Sequence, residues 1–132
     1  MNNAIISRIA IIGFGIVLAV FGIKHFLDPE NLAIMVPSFI PGGKIWVYIV
    51  GTAFILAAIA FIINRKVKLA GYLLALMLII FVITIHLRGY MDAGDKELQA
   101  ISFVNMLKDL ALACAALAIG STYDNTQTIA RD

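Results

Sequence analysis

Residues 45–87 read IWVYIVGTAFILAAIAFII-NRK-VKLAGYLLALMLIIFVITIHL: two apolar runs, Ile45–Ile63 and Val67–Leu87, parted only by Asn64-Arg65-Lys66. Each run has about the 20 residues that an α-helix needs to cross the hydrocarbon of a bilayer. Three residues are enough to turn one helix back against the next, so the stretch reads as a tight helical hairpin. Working outward, a run at Ile5–Leu27 precedes it and is closed by Asp28-Pro29, because proline lacks the N–H and fixes φ. Another, at about Ala100–Gly120, follows it. All four are apolar around most of their circumference, so length rather than periodicity carries the assignment.

Composition agrees with that reading. The chain is 62% hydrophobic and 14% charged, with a mean hydropathy of +0.99, values that belong to polytopic membrane proteins. The expected fold is therefore all-α, a four-transmembrane-helix bundle forming one domain over residues 1–132. The first run has Arg8 inside its start and no small-residue cleavage site, which makes it a retained span. A net charge of +2 without any block of Lys or Arg sets nucleic acid aside. The single cysteine, Cys114, excludes an intramolecular disulfide or a Cys-pair redox centre and is expected to be a buried, inert thiol.

Charge orients the bundle. The hairpin turn carries Arg65 and Lys66, with Lys68 just beyond and no acidic residue, and short positive loops mark the cytoplasmic side. With an even number of spans, both termini, which carry Arg8 and Arg131, share that side. The expected topology is N-in/C-in. The outer connections are neutral or acidic: Asp28 and Glu30 against Lys44 in one, and Asp92, Asp95 and Glu97 against Arg88 and Lys96 in the other. Segment Asp28–Gly43 is too apolar for a solvated loop and is expected in the membrane interface. Asp28 as cap and Pro29 at the first helical position predict a short helix to about Met35, after which Pro37 and Pro41 predict extended chain. Trp46 and Tyr48 stand beyond it as belt aromatics. Small residues spaced four apart, Gly15/Ala19, Ala53/Ala57, Gly71/Ala75 and Ala111/Ala115, fit close helix packing.

The fourth span brings polar residues where lipid should exclude them. Leu110–Ile119 alone is half a span, so Asn105, Lys108 and Asp109 lie in or near the membrane, on a helical arc of roughly 100°. A charge at mid-bilayer costs about 2.5–3.5 kcal/mol on insertion scales, which turns this face into the bundle. Partners must come from the neighbouring outer ends, which carry Lys24, His25, His86 and Arg88; Lys24 or Arg88 could pair with Asp109, Lys108 could snorkel outward, and Asn105 could bridge helices. One expectation is an ion-paired lock without a ligand. The other is a polar pocket formed by Lys24, His25, His86, Asn105, Lys108 and Asp109, under a Val36–Pro41 flap, for a head group such as a quinone, whose carbonyl oxygens need the donors these residues supply. His25 and His86 at helix ends, where water competes, argue against a bis-histidine haem and read as interfacial histidines, and a closed metal-ligand set is missing. No hydrolytic triad or phosphate loop stands out, and only Asp109 would serve transport near the midplane.

Arg8, Phe21-Gly22-Ile23-Lys24 followed by Asp28-Pro29, the Pro-containing apolar loop, Trp46 through Gly51, and Asn105-Met106-Leu107-Lys108-Asp109-Leu110-Ala111-Leu112 together resemble the DoxX-like membrane proteins over nearly the whole chain. Where that family often has glycines after the fourth-span motif, this chain has Cys114-Ala115-Ala116. The resemblance implies a four-helix protein of the bacterial inner membrane. Namesakes of the family include a subunit of a thiosulfate:quinone oxidoreductase, which implies an accessory or quinone-interacting subunit of a membrane redox system, with membrane lipids, quinone and a protein at the outer loops as partners. A non-catalytic scaffold or assembly factor is the rival expectation, and a small transporter the third.

Overall fold

A computed structural model describes the backbone of residues 2–129 and the side chains of residues 2–123; Arg131, on which the expected orientation partly rests, lies outside the described residues. Among the described residues six α-helices follow in order: α1 (Asn3–Leu27), α2 (Pro29–Ala33), α3 (Lys44–Ile63), α4 (Val67–Phe81), α5 (Leu87–Asp92) and α6 (Lys96–Ile129). A π-helical turn, Val82–His86, joins α4 to α5 without a break. Four helical segments, Asn3–Leu27, Lys44–Ile63, Val67–Asp92 and Lys96–Tyr123, are long and apolar enough to cross a membrane. No strand occurs among the described residues.

Local chemistry sets the boundaries. The Asn2 side chain accepts the Ala4 N–H at 3.1 Å and opens α1, and Asp28-Pro29 closes it. Gly42 and Gly43, at φ +103° and +29°, take the chain into α3 through conformations that disfavour a Cβ. At the far end Asn64 adopts the left-handed conformation that asparagine tolerates, its N–H donating to the Ala60 carbonyl, and Lys66 follows at φ +57°. The second connection at the end away from the hairpin turn is shorter than the sequence suggests. Asp95 Oδ1 accepts the Leu98 N–H at 2.8 Å and starts α6 early, so helix covers most of Arg88–Gln99.

Two helix pairs make the bundle: α1 against α3 and α4 against α6, with a thinner contact between α3 and α4. Glycine allows both close approaches. A Cβ at Gly15 would lie 3.2 Å from the Ala58 carbonyl oxygen, one at Gly22 2.9 Å from that of Gly51, and one at Gly71 2.6 Å from that of Ala116. Leu18, Phe61, Val67 and Leu78 are fully buried where the pairs meet. Most other large apolar side chains face outward, as lipid requires. Ala111 and Cys114 are also exposed on α6, so the thiol is on the outside of the bundle and not in the core.

The hairpin end is fastened by Arg8, which donates from α1 to the Phe61 carbonyl at 2.7 Å and to the Ile62 carbonyl of α3. These belong to the last turn of a helix, whose carbonyls have no intrahelical donor and carry partial negative charge. Tyr123 adds a hydrogen bond to the Asn64 carbonyl at 3.2 Å.

At the opposite end the loop after α2 folds as consecutive turns in place of the extended chain expected from Pro37 and Pro41. The Met35, Val36 and Ile40 N–H groups donate to the Leu32, Ala33 and Pro37 carbonyls at 2.9–3.1 Å. Tight turns satisfy backbone groups locally, which an extended strand with no neighbour could not do. Asp28 precedes α2 as expected, but its Oδ1 accepts from Asn31 Nδ2 at 2.8 Å instead of capping the backbone. Three contacts hold the loop: Glu30 with Lys44, Trp46 Nε1 donating to the Pro41 carbonyl at 2.9 Å, and the Arg88 guanidinium 5.4 Å from the Phe39 ring centroid.

The glycine contacts yield a stability prediction. Gly71→Val is expected to lower stability by about 1–3 kcal/mol, because the added atoms meet backbone and not a movable side chain. Gly13→Ala, where a Cβ meets nothing within 4 Å, should be close to neutral. Thermal unfolding in detergent compares the two; equal effects would contradict close α4–α6 packing.

Candidate functional site

Between the two helix pairs, in the halves away from the hairpin turn, lies a cavity of about 570 Å³ lined from α1, α2, the flap, α3, α4, the π-turn and α6. Lys24, His25, His86, Asn105, Lys108 and Asp109 all border it, as do Val36, Pro37 and Ile40 of the flap. The remaining wall is apolar and aromatic, with Phe21, Phe54, Phe81 and Trp46.

Its polar wall centres on His86 and Asp109, which are 7% and 5% exposed. His86 Nε2–H donates to Asp109 Oδ2 at 2.9 Å, tying the third span to the fourth. This replaces the expected pairing of Asp109 with Lys24 or Arg88. Those cations sit on neighbouring acids one turn away on their own side of the bundle, Lys24 with Asp28 at 3.6 Å and Arg88 with Asp92 at 3.7 Å. The π-turn accounts for the change of partner. One wide turn ending at His86 shifts the helical register, so the side chain that faces α6 is not the one that a regular helix would have presented. His86 is accordingly a buried partner of Asp109 and not a plain interfacial histidine.

Fully buried polar side-chain atoms without a hydrogen-bond partner are absent among the described residues. The Nδ1 atom of His86 makes no hydrogen bond, so it must be reachable from open space, and the cavity is the space His86 borders. Lys108 lies at the side of the pair, 3.6 Å from Asp109 Oδ1, with its ammonium donating to Asn105 Oδ1 at 3.4 Å and standing 5.3 Å from the Phe21 ring centroid. Instead of snorkelling away, it is held against the wall by a carboxylate, an amide and an aromatic face. Asn105 likewise bonds within α6 and does not bridge helices. Across the cavity, His25 Nδ1–H donates to the Phe21 carbonyl at 2.7 Å, and its ring packs 5.4 Å from that of Phe54. That leaves His25 Nε2 as the ring's second polar atom.

Sequence reasoning did not single out Phe21, Phe54, Phe81 or Thr84 as lining residues. Thr84, whose hydroxyl donates to the Ile80 carbonyl at 2.7 Å, is the only hydroxyl residue in Val82–His86 and was the one local signal. The arrangement can do three things chemically: donate hydrogen bonds from Lys108 and the Asn105 amide, accept one at an imidazole nitrogen, and surround a flat apolar group with aromatic faces.

The pair should behave as a coupled unit. Asp109→Leu is expected to destabilise by about 1–3 kcal/mol because His86 loses its acceptor in a buried setting. His86→Leu in the Asp109→Leu background should recover part of that loss. A double-mutant cycle by thermal unfolding in detergent checks it; strictly additive losses would mean the two side chains are not coupled.

No curated protein and no solved structure matches the chain. Residues 14–120, from α1 through the two glycine-packed helix pairs and into the second half of α6, match the family described as Domain of unknown function (DUF8561). Every residue of the polar wall falls inside that match, and on its extent the chain belongs to this family.

Proposed function

We propose that this protein is a DoxX-like membrane protein of the bacterial inner membrane that holds the head group of a quinone in its outer cavity, as an accessory subunit of a membrane redox system. The observation that carries the reading is the division of the cavity lining between a few polar side chains, with His86, Asp109, Lys108 and Asn105 grouped together and Lys24, His25 and Thr84 elsewhere, and a larger apolar and aromatic part. A quinone ring has the matching division, with two carbonyl oxygens on a flat apolar body. Lys108 and the Asn105 amide nitrogen supply donors to the oxidised form, and the unprotonated nitrogen of His25 or His86 can accept the hydroxyl of the reduced form. Electrons must come from a partner protein, for which the outer loops are the docking face in this reading.

A scaffold reading also has an observation behind it, since the His86–Asp109 bond joins two spans and is what a helix lock requires. It uses two of the six polar residues and gives no role to the cavity. The quinone reading uses both.

The proposed orientation places the Asn64–Lys66 turn and both termini in the cytoplasm and the flap outside, on the strength of the positive turn. A reporter active only outside the cytoplasm should be silent when fused after Lys66 and active when fused within 92–96. The reverse pattern would overturn the orientation.

Binding is tested with Trp46, the only tryptophan in the chain and a lining residue, whose fluorescence a bound quinone should quench saturably. Lys108→Met should weaken the binding read by that quenching roughly twofold to 150-fold, the effect of about 0.5–3 kcal/mol from one lost donor. Absence of saturable quenching, together with no quinone in lipid extracts of the purified protein, would leave the scaffold reading standing.

A further inference from the structure

A second cavity, of about 320 Å³, lies in the cleft between α3 and α4 and runs toward the hairpin turn. Ala53, Leu56, Ala57 and Ala60 form its α3 side, and Leu69, Ala70, Leu73, Leu74 and Met77 its α4 side, with Lys66 at the inner end. The i, i+3, i+4, i+7 spacing places the α3 set on one helix face. Two residues, Ala53 and Met77, border both this cleft and the polar cavity, so the two spaces adjoin at mid-span. The cleft exists because α3 and α4 touch far less than either glycine-packed pair does and because alanines occupy positions where larger side chains would fill it. Its rims, Leu56, Leu69 and Leu73, are more than half exposed, so it opens sideways toward the acyl chains of the bilayer.

We propose that the ligand of the outer cavity carries a long hydrocarbon tail, which leaves the polar cavity between Ala53 and Met77 and lies in the α3–α4 cleft. This rests on the head-group reading above and adds the class of quinone: one with a polyprenyl tail, not a small soluble ring. Continuity is the argument for this occupant. From Met77 to Leu69 the α4 side of the cleft extends roughly 12 Å at the helical rise per residue. Its exposed walls are hydrocarbon, which gives a tail van der Waals contact without leaving any polar group unmet. Apart from Lys66 at the hairpin end, the cleft is lined by apolar side chains, so a ligand that enters it from the cavity needs polar groups only at its cavity end. A phospholipid held by Lys66 would occupy the cleft from the other end and would leave the polar cavity independent of it.

The test uses the purified full chain in lipid nanodiscs with a benzoquinone carrying a tetraprenyl tail and a diazirine at the tail terminus. Trp46 quenching reads the ring, and mass-spectrometric mapping of the photolabel reads the tail. The expected result is saturable quenching, with label on the cleft residues Leu56, Ala60, Leu69 and Leu73. Ala60→Phe, which fills the cleft below its junction with the cavity, should reduce saturable labelling there at least fivefold while the quenching by the same ring without a tail is unchanged. Ala70→Phe from the opposite wall should do the same, which guards against a folding defect in either variant. Saturable quenching with label scattered over the lipid faces of α1 and α6, or cleft labelling indifferent to both substitutions, would overturn the tail placement alone. No saturable quenching by either quinone would overturn the head-group reading and this inference with it.

Discussion

Hydrocarbon offers no hydrogen bonds, so any polar group that four apolar helices carry inward has to be met from within the chain. That constraint organises both ends of the molecule. At the hairpin end it joins α1 to α3, since Arg8 supplies donors to the Phe61 and Ile62 carbonyls that the last turn of α3 leaves open. At the other end it joins the third span to the fourth, through His86 and Asp109. The threonines follow the same rule locally: Thr52 and Thr84 each return the hydroxyl proton to the carbonyl four residues earlier.

Between those two fixed ends, packing divides the helices unevenly. Glycines let α1 approach α3 and α4 approach α6 at backbone distance, and the alanines between α3 and α4 do not close the space in the same way. Two tight pairs joined by a looser seam leave two adjoining spaces, the larger at the wide end beside the loop after α2. The flap, held by Glu30–Lys44, Trp46–Pro41 and Arg88–Phe39, borders the wide end and gives the cavity an apolar lip.

Much of this was legible in the chain. Span length and hydropathy located the four helices because crossing a bilayer fixes a minimum run of apolar residues, and Asn64-Arg65-Lys66 located the hairpin turn. The six polar residues stood out because lipid makes them expensive, and they do border one cavity. Their pairing was not legible. Which cation meets Asp109 depends on helix rotation, and the π-turn that rotates His86 into place leaves no pattern in Val82–His86 that composition or spacing would reveal. The flap was misjudged for a related reason. Proline constrains its own φ and the residue before it, but hydrogen bonds by Met35, Val36 and Ile40 decided the path.

The π-turn also separates two requirements that a regular helix would have forced into one phase. On its hairpin side, the azimuth of α4 is dictated by Gly71 against Ala116 and Gly120; on its flap side, the azimuth of α5 is dictated by His86 against Asp109 and by Gly89 close to Ser102. A continuous α-helix holds all its faces in fixed angular relation at about 100° per residue, so any adjustment at one end would rotate the other. The wide turn acts as a phase insert, and the seam on the hairpin side can tighten or loosen without turning the cavity's polar wall toward lipid.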